Sequence, residues 1–222
     1  MSPALSLPPG PLMGLPDPAG RRIGLFGGSF NPPHSGHVAL AAEALLQLGL
    51  DQVWWLVSPQ NPLKKPEETD DFVIRLRASA EIVRGIDSRF RVLDIEPKLN
   101  TRWTAQTLRR LEPVIDRGRF VWIMGADSFA GLHHWNEWRT IPDTLPLAVF
   151  ARPGWCLRAL SSPAARVLQP YRIEAARARR LADLAPPAWC FLTMPLRTES
   201  STAIRQLRGT SATVAALSPA HA

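Results

Sequence analysis

The sequence predicts an α/β protein built on a doubly wound parallel sheet, in a single domain with a small C-terminal helical part. Three observations lead there. Short apolar runs alternate with segments of helical period from about residue 21 onward, the order that sets parallel strands side by side with helices crossing between them. Loops containing Pro and Gly close several of the runs, as at Ser58-Pro59 and Arg152-Pro153-Gly154. A chain of 222 residues with 45% hydrophobic content can bury one substantial core.

In order along the chain, residues 22–26 (Arg-Ile-Gly-Leu-Phe) read as a first buried strand, followed by a loop rich in Gly and Pro. Residues 37–48 read as an Ala- and Leu-rich helix that Gly49 ends. Residues 52–57 (Gln-Val-Trp-Trp-Leu-Val) form a second strand, and the polar stretch 60–71, with Pro62, Lys64, Lys65 and Pro66, reads as a mobile loop. A helix over 72–84 places Phe72, Leu76, Ser79, Ala80 and Val83 at helical spacing. Short strands follow at 90–93 and 120–124, with a helix over about 105–111 between them. Residues 147–150 are another strand, and the next thirty-odd residues, weakly periodic and rich in Arg, read as a helical excursion. A last strand lies at 189–192, and Ser200-Ser201-Thr202 opens a helix that runs through Leu207 and stops at Gly209. Residues 1–20 read as a disordered N-terminal tail, 21–208 as the domain and 209–222 as a frayed C-terminal tail.

Composition narrows the function classes. No segment approaches the roughly 18–20 apolar residues of a membrane span, and the first residues show neither the basic start nor the apolar run of a secretory signal. Two cysteines, Cys156 and Cys190, suggest no disulfide framework, so a reducing cytoplasm fits. The formal net charge of +7 suits either nucleic acid or a small anionic substrate, and many of the arginines fall between Arg158 and Arg180. No helix-turn-helix, RNA-binding signature or zinc finger favours nucleic acid, and no membrane partner is expected.

The segment that carries chemistry is Gly24-Leu-Phe-Gly-Gly-Ser-Phe-Asn-Pro-Pro-His-Ser-Gly-His37, between the first strand and the first helix. Open α/β sheets bind ligands at the carboxyl ends of their strands. Gly27 and Gly28 allow close backbone approach, Pro32 and Pro33 stiffen the loop, and His34 and His37 flank Gly36 where free helix N–H groups favour an anion. The spacing is neither the dinucleotide fingerprint nor a P-loop. Zinc would need a third ligand that does not stand nearby. A phosphate site is the reading that remains beside an ordinary structural turn.

This string resembles the signature of the cytidylyl/adenylyltransferase superfamily, a Rossmann-like fold in which His-x-Gly-His holds the triphosphate. Ser200-Ser201-Thr202-Ala-Ile-Arg205 is similar to its second, C-terminal motif, although taken alone Ser-Ser-Thr before a helix is more often a plain N-cap. The middle of the chain resembles bacterial nicotinate-nucleotide adenylyltransferases: Asn61-Pro-Leu-Lys64, Thr101-Arg-Trp-Thr104 with Thr107-Leu108, Ile123-Met-Gly-Ala-Asp-Ser128 and His134-Trp-Asn-Glu-Trp138. The stretch 156–198 carries little of it.

The resemblance implies transfer of AMP from ATP to nicotinic acid mononucleotide, with another phosphorylated acceptor, nicotinamide mononucleotide or phosphopantetheine, as the alternative. It implies that ATP meets Gly27, Gly28, Ser29, Phe30, His34, His37, Gly125, Asp127, Ser200, Ser201, Thr202 and Arg205. His34, His37 and Arg205 would act on the reacting phosphates, and Asp127 would hold a ribose hydroxyl. The acceptor would meet Asn31, Lys64, Thr104, Trp135 and Asn136, with Trp135 stacked on the pyridine ring and backbone near Thr104 and Asn136 receiving its carboxylate. Mg²⁺ would travel with ATP, with no metal ligand supplied by the protein. By residue chemistry alone, Trp135 could be core, Asp127 a helix N-cap and Lys64 a solvated cation. Asn31 stands where most relatives carry Asp, Trp103 where Tyr is common, and Glu199 where an apolar residue is usual.

Overall fold

The computed structural model describes residues 12, 14–59 and 69–195. The apolar runs become strands β1 (Arg22–Gly28), β2 (Gln52–Val57), β3 (Phe90–Leu93), β4 (Arg119–Gly125), β5 (Leu147–Phe150) and β6 (Trp189–Leu192). The six strands form one sheet in the order β3-β2-β1-β4-β5-β6, and every pairing is parallel. β2 is buried along its whole length, as a central parallel strand covered on both faces must be. Leu25 of β1 sits level with Trp54 of β2 and Trp122 of β4, so large side chains stack across the centre of the sheet.

Two hydrophobic cores follow, one on each face. Leu25, Trp54 and Trp122 point to the first with Leu108, Phe129 and Trp189. Phe26, Trp55 and Ile123 point to the second with Phe30, Leu40 and Leu181. The period-two alternation along each strand thus divides the apolar residues between two helical layers.

The helices are α1 (Ser35–Leu48), α2 (Phe72–Val83), α3 (Ile95–Leu99), α4 (Thr104–Ile115), α5 (Ala126–Ala130), α6 (Thr140–Thr144), α7 (Cys156–Leu160) and α8 (Pro163–Leu168). Gly49 ends α1 in the left-handed region at φ 62°, and its N–H returns to the Leu45 carbonyl. The Arg-rich excursion folds as α7 and α8 followed by two 3₁₀ segments, Gln169–Tyr171 and Ala175–Asp183.

Four expectations change. α1 begins two residues early, at Ser35. α3 was not expected, and α4 continues through Pro113 to Ile115. α2 turns Arg75, Ser79 and Val83 inward, with Ala80 exposed, so an arginine holds the position that spacing assigned to apolar neighbours. Within residues 1–20, the described part touches the domain: Leu12 is buried, Leu15 packs against the first core, and Gly20 N–H donates to the Arg117 carbonyl at 3.3 Å.

Both described cysteines are free. Desolvation pushes the Cys190 thiol up to about 12, which leaves it without a thiolate at neutral pH. Among the described residues no helix is long and apolar enough to cross a membrane.

Candidate active site

The chain runs from β1 outward through β2 to β3, then returns to the other side of β1 as β4. The strand order therefore reverses between β1 and β4, and the crevice beyond their carboxyl ends is where such sheets take ligands. Each of these two strands leads into residues singled out by sequence.

After β1, Ser29, Phe30 and Asn31 lead to His34, the N-cap of α1 with extended backbone (φ −149°, ψ 170°). His34 is buried and its ring centroid lies 3.8 Å from that of His37. The His34 backbone N–H donates to His37 Nδ1 at 3.2 Å. An Nδ1 that accepts carries no proton, so the proton of the neutral ring is on Nε2, which is then a donor. The two imidazoles and the first N–H groups of a fourteen-residue helix are gathered at one place, an arrangement suited to phosphate oxygens.

Aromatic packing sets this loop. Phe30 has φ 43°, a left-handed conformation that bulky residues rarely adopt. Its ring stacks on Trp55 at 4.8 Å and meets Phe26 edge-on at 5.3 Å and His37 at 5.0 Å. Gly27 and Gly28 have a packing reason as well as the ligand one expected: a Cβ at Gly27 would lie 2.6 Å from the Trp122 ring, and one at Gly28 would lie 3.0 Å from the Phe30 ring. Asn31, 1% exposed, accepts from the Asp70 N–H at 3.2 Å through Oδ1.

After β4, Gly125 caps α5 and Asp127 lies in its first turn, so Asp127 is not the N-cap. Its Oδ1 is 3.5 Å from Arg152 Nε. A Cβ on Gly125 would collide with Asp127 Oδ1 and Arg152 Nε, which explains the glycine there.

Trp135 packs against the first core, and the helix that Thr104 opens buries Leu108, Leu111 and Val114 in that core. Thr104 opens α4 after Trp103. Trp135, half-buried against the first core, follows the 3₁₀ turn Leu132–His134, and Asn136 beside it is exposed. An Arg109–Glu137 ion pair and an Arg109–Thr140 hydrogen bond of 3.3 Å tie α4 to the Trp135 turn. Lys64, Ser200, Ser201, Thr202 and Arg205 lie outside the described residues.

Sequence reasoning missed two buried charged groups. Arg75 is described below. Glu96 is 6% exposed, and burial pushes its carboxyl up to about 7 despite a hydrogen bond with Thr107. The Thr107 hydroxyl also meets Thr101 Oγ1 at 2.8 Å and donates to the Trp103 carbonyl at 3.2 Å. A polar knot thus holds the loop that leads into Thr104. Charged residues among helical positions gave no sign of burial.

Residues 25–207 match the family described as cytidylyltransferase-like. The chain is 48% identical over 184 residues to the probable nicotinate-nucleotide adenylyltransferase of Ruegeria sp. (strain TM1040), covering 83% of this chain and 96% of that one. It is 50% identical over 183 residues to the protein of the same description from Cereibacter sphaeroides (strain ATCC 17025 / ATH 2.4.3), covering 82% and 96%. The chain belongs to the cytidylyltransferase-like family, in its nicotinate-nucleotide adenylyltransferase branch. Among solved structures it is similar in fold to Plasmodium falciparum nicotinic acid mononucleotide adenylyltransferase complexed with NaAD, with TM-score 0.63, 16% identity, and 84% of this chain and 83% of that one covered. The family match spans the His-x-Gly-His loop and reaches Arg205, so it brackets both sequence motifs.

Proposed function

We propose that the protein transfers AMP from ATP to nicotinic acid mononucleotide, forming nicotinic acid adenine dinucleotide and pyrophosphate. The observation that carries this is the His34–His37 pair at the N-terminus of α1, set at the point where the strand order reverses. The descriptions of the 48–50% identical relatives supply the acceptor.

An oxygen of the acceptor's 5′-phosphate attacks the α-phosphorus of ATP. The bond from that phosphorus to the bridging α–β oxygen breaks, and pyrophosphate leaves with the electron pair. Such chemistry asks the protein for position and charge stabilisation more than for a covalent partner. His37, donating from Nε2, and His34 act on the triphosphate with the helix N–H groups. Asp127 holds the ATP ribose, and Gly125 keeps the backbone near it clear. Ser200, Ser201, Thr202 and Arg205 hold the leaving pyrophosphate. Trp135 stacks on the pyridine ring, Thr104 and Asn136 present backbone donors to its carboxylate, and Asn31 and Lys64 meet the acceptor. The histidine site offers imidazoles and N–H donors, which suit phosphate better than a hard oxygen-seeking cation, so Mg²⁺ enters bound to ATP oxygens and water.

The test is an assay of ATP with a panel of phosphorylated acceptors, reading pyrophosphate release and the dinucleotide formed. Turnover with nicotinic acid mononucleotide is expected. Turnover with phosphopantetheine in its place reassigns the acceptor, and no turnover with any of the panel rejects the reading.

A further inference from the structure

Arg75 is a fully buried cation, 1% exposed, on the inward face of α2. Its guanidinium donates to four backbone carbonyls: Nε to Asp70 at 2.8 Å, one terminal nitrogen to Ser29 at 2.6 Å and to Ser58 at 2.7 Å, and the other to Pro59 at 2.6 Å. These carbonyls come from three separate segments. Ser29 belongs to the loop that leads to His34. Ser58 and Pro59 follow β2 and open the segment that carries Lys64. Asp70 closes that segment, and its N–H holds Asn31. Burial lowers the basicity of the guanidinium, and the Asp70 and Asp71 charges offset part of that.

A planar fork with fixed donor directions can join carbonyls from three segments in one geometry, whereas an ammonium cannot match those directions. Burying a guanidinium on neutral carbonyls is costly unless its donors are met, so the position is a demanding one to maintain. We infer that Arg75 is a positioning residue of the nucleotide site: it locks the Ser29–Asn31 turn to both roots of the 60–68 segment. It touches no reacting atom. This rests on the proposed function for which substrates are read, and on the hydrogen bonds alone for the clamp.

The test compares Arg75→Lys with Val83→Ala, which weakens the packing of the same helix away from these loops. Thermal midpoints, kcat, both Michaelis constants and ATP affinity by calorimetry are measured for each. Arg75→Lys is expected to raise the Michaelis constants and the ATP dissociation constant roughly tenfold or more, with kcat changed by less than about threefold, the pattern of lost uniform binding. Val83→Ala is expected to lower the midpoint and leave those constants alone. An Arg75→Lys protein that loses stability but binds ATP and acceptor as the wild type does overturns the inference. A wild type inactive with nicotinic acid mononucleotide overturns the acceptor reading instead, and ATP affinity still decides the clamp. Should Arg75→Lys fail to fold, hydrogen exchange on the wild type decides: residues 28–31, 58 and 70–75 must open as one unit, and independent opening overturns the inference.

Discussion

His34 and His37 are joined by the bond from the His34 backbone N–H to His37 Nδ1, 3.2 Å long. This reverse bond caps the helix and selects the ring tautomer together. The backbone of the residue that terminates the loop thereby orients the ring of the third helical residue, His37, and leaves its proton on Nε2.

Removing that donor should slow the reaction without unfolding the protein. His37→Ala is expected to lower kcat about 10²–10³-fold, the scale for one preorganised charge-stabilising donor. Its thermal midpoint should stay near the wild-type value. Steady-state kinetics beside a melting curve tests this; wild-type turnover would remove His37 from the mechanism, and an unfolded variant would make it a core histidine.

Arg205, one turn into the predicted C-terminal helix, is expected to grip phosphate oxygens in pairs. Arg205→Lys keeps the charge and loses the fork, so activity should fall roughly tenfold or more, with a higher Michaelis constant for ATP. Free substitution by Lys would make Arg205 a solvated cation and Ser200-Ser201-Thr202 an ordinary cap.

Glu96 makes stability depend on pH. Its carboxyl is raised from 4.5 to about 7, so between these values the folded state holds a proton that the unfolded chain has released. The stability that Glu96 contributes therefore falls as pH rises through this window and is level on either side of it. The full loss is about 3 kcal/mol at pH 8 relative to pH 4. Glu96→Gln should flatten the profile and be the more stable protein at alkaline pH. Urea midpoints across the window measure both proteins, and parallel profiles would show that Glu96 does not titrate there.

The acceptor choice can be weighed by one comparison. In the proposed acceptor slot, a carboxylate on the pyridine ring is expected to accept from both backbone donors near Thr104 and Asn136, whereas a carboxamide would present its own NH₂ to one of them. The unmet buried donor costs about 1.5–3 kcal/mol. Nicotinic acid mononucleotide should thus be favoured over its amide by roughly 10- to 150-fold in kcat/KM. Equal efficiencies would keep the family and reject the acid preference.

Much of this was legible in one dimension. The bounds of β5 and β6 were read to the residue because each is a short apolar run between turn-formers, and burial on both faces demands such runs. The His-x-Gly-His loop was legible because glycine, proline and histidine each restrict the chain or its chemistry wherever they stand. α3 was not legible, because five residues with a proline among them carry too little period to register.

The sequence by itself therefore determined the α/β class, the strand runs and the loop on which chemistry would fall, all of which depend on neighbours a few residues apart. Tertiary structure alone decided which charges are buried. Arg75 and Glu96 have the residue types of a solvated helix face, and both lie inside because distant segments bring them partners: the carbonyls of Ser29, Ser58 and Pro59 for one, the Thr107 hydroxyl for the other. A buried charge is tolerated only where its hydrogen bonds are met, and those bonds exist only once the segments have come together.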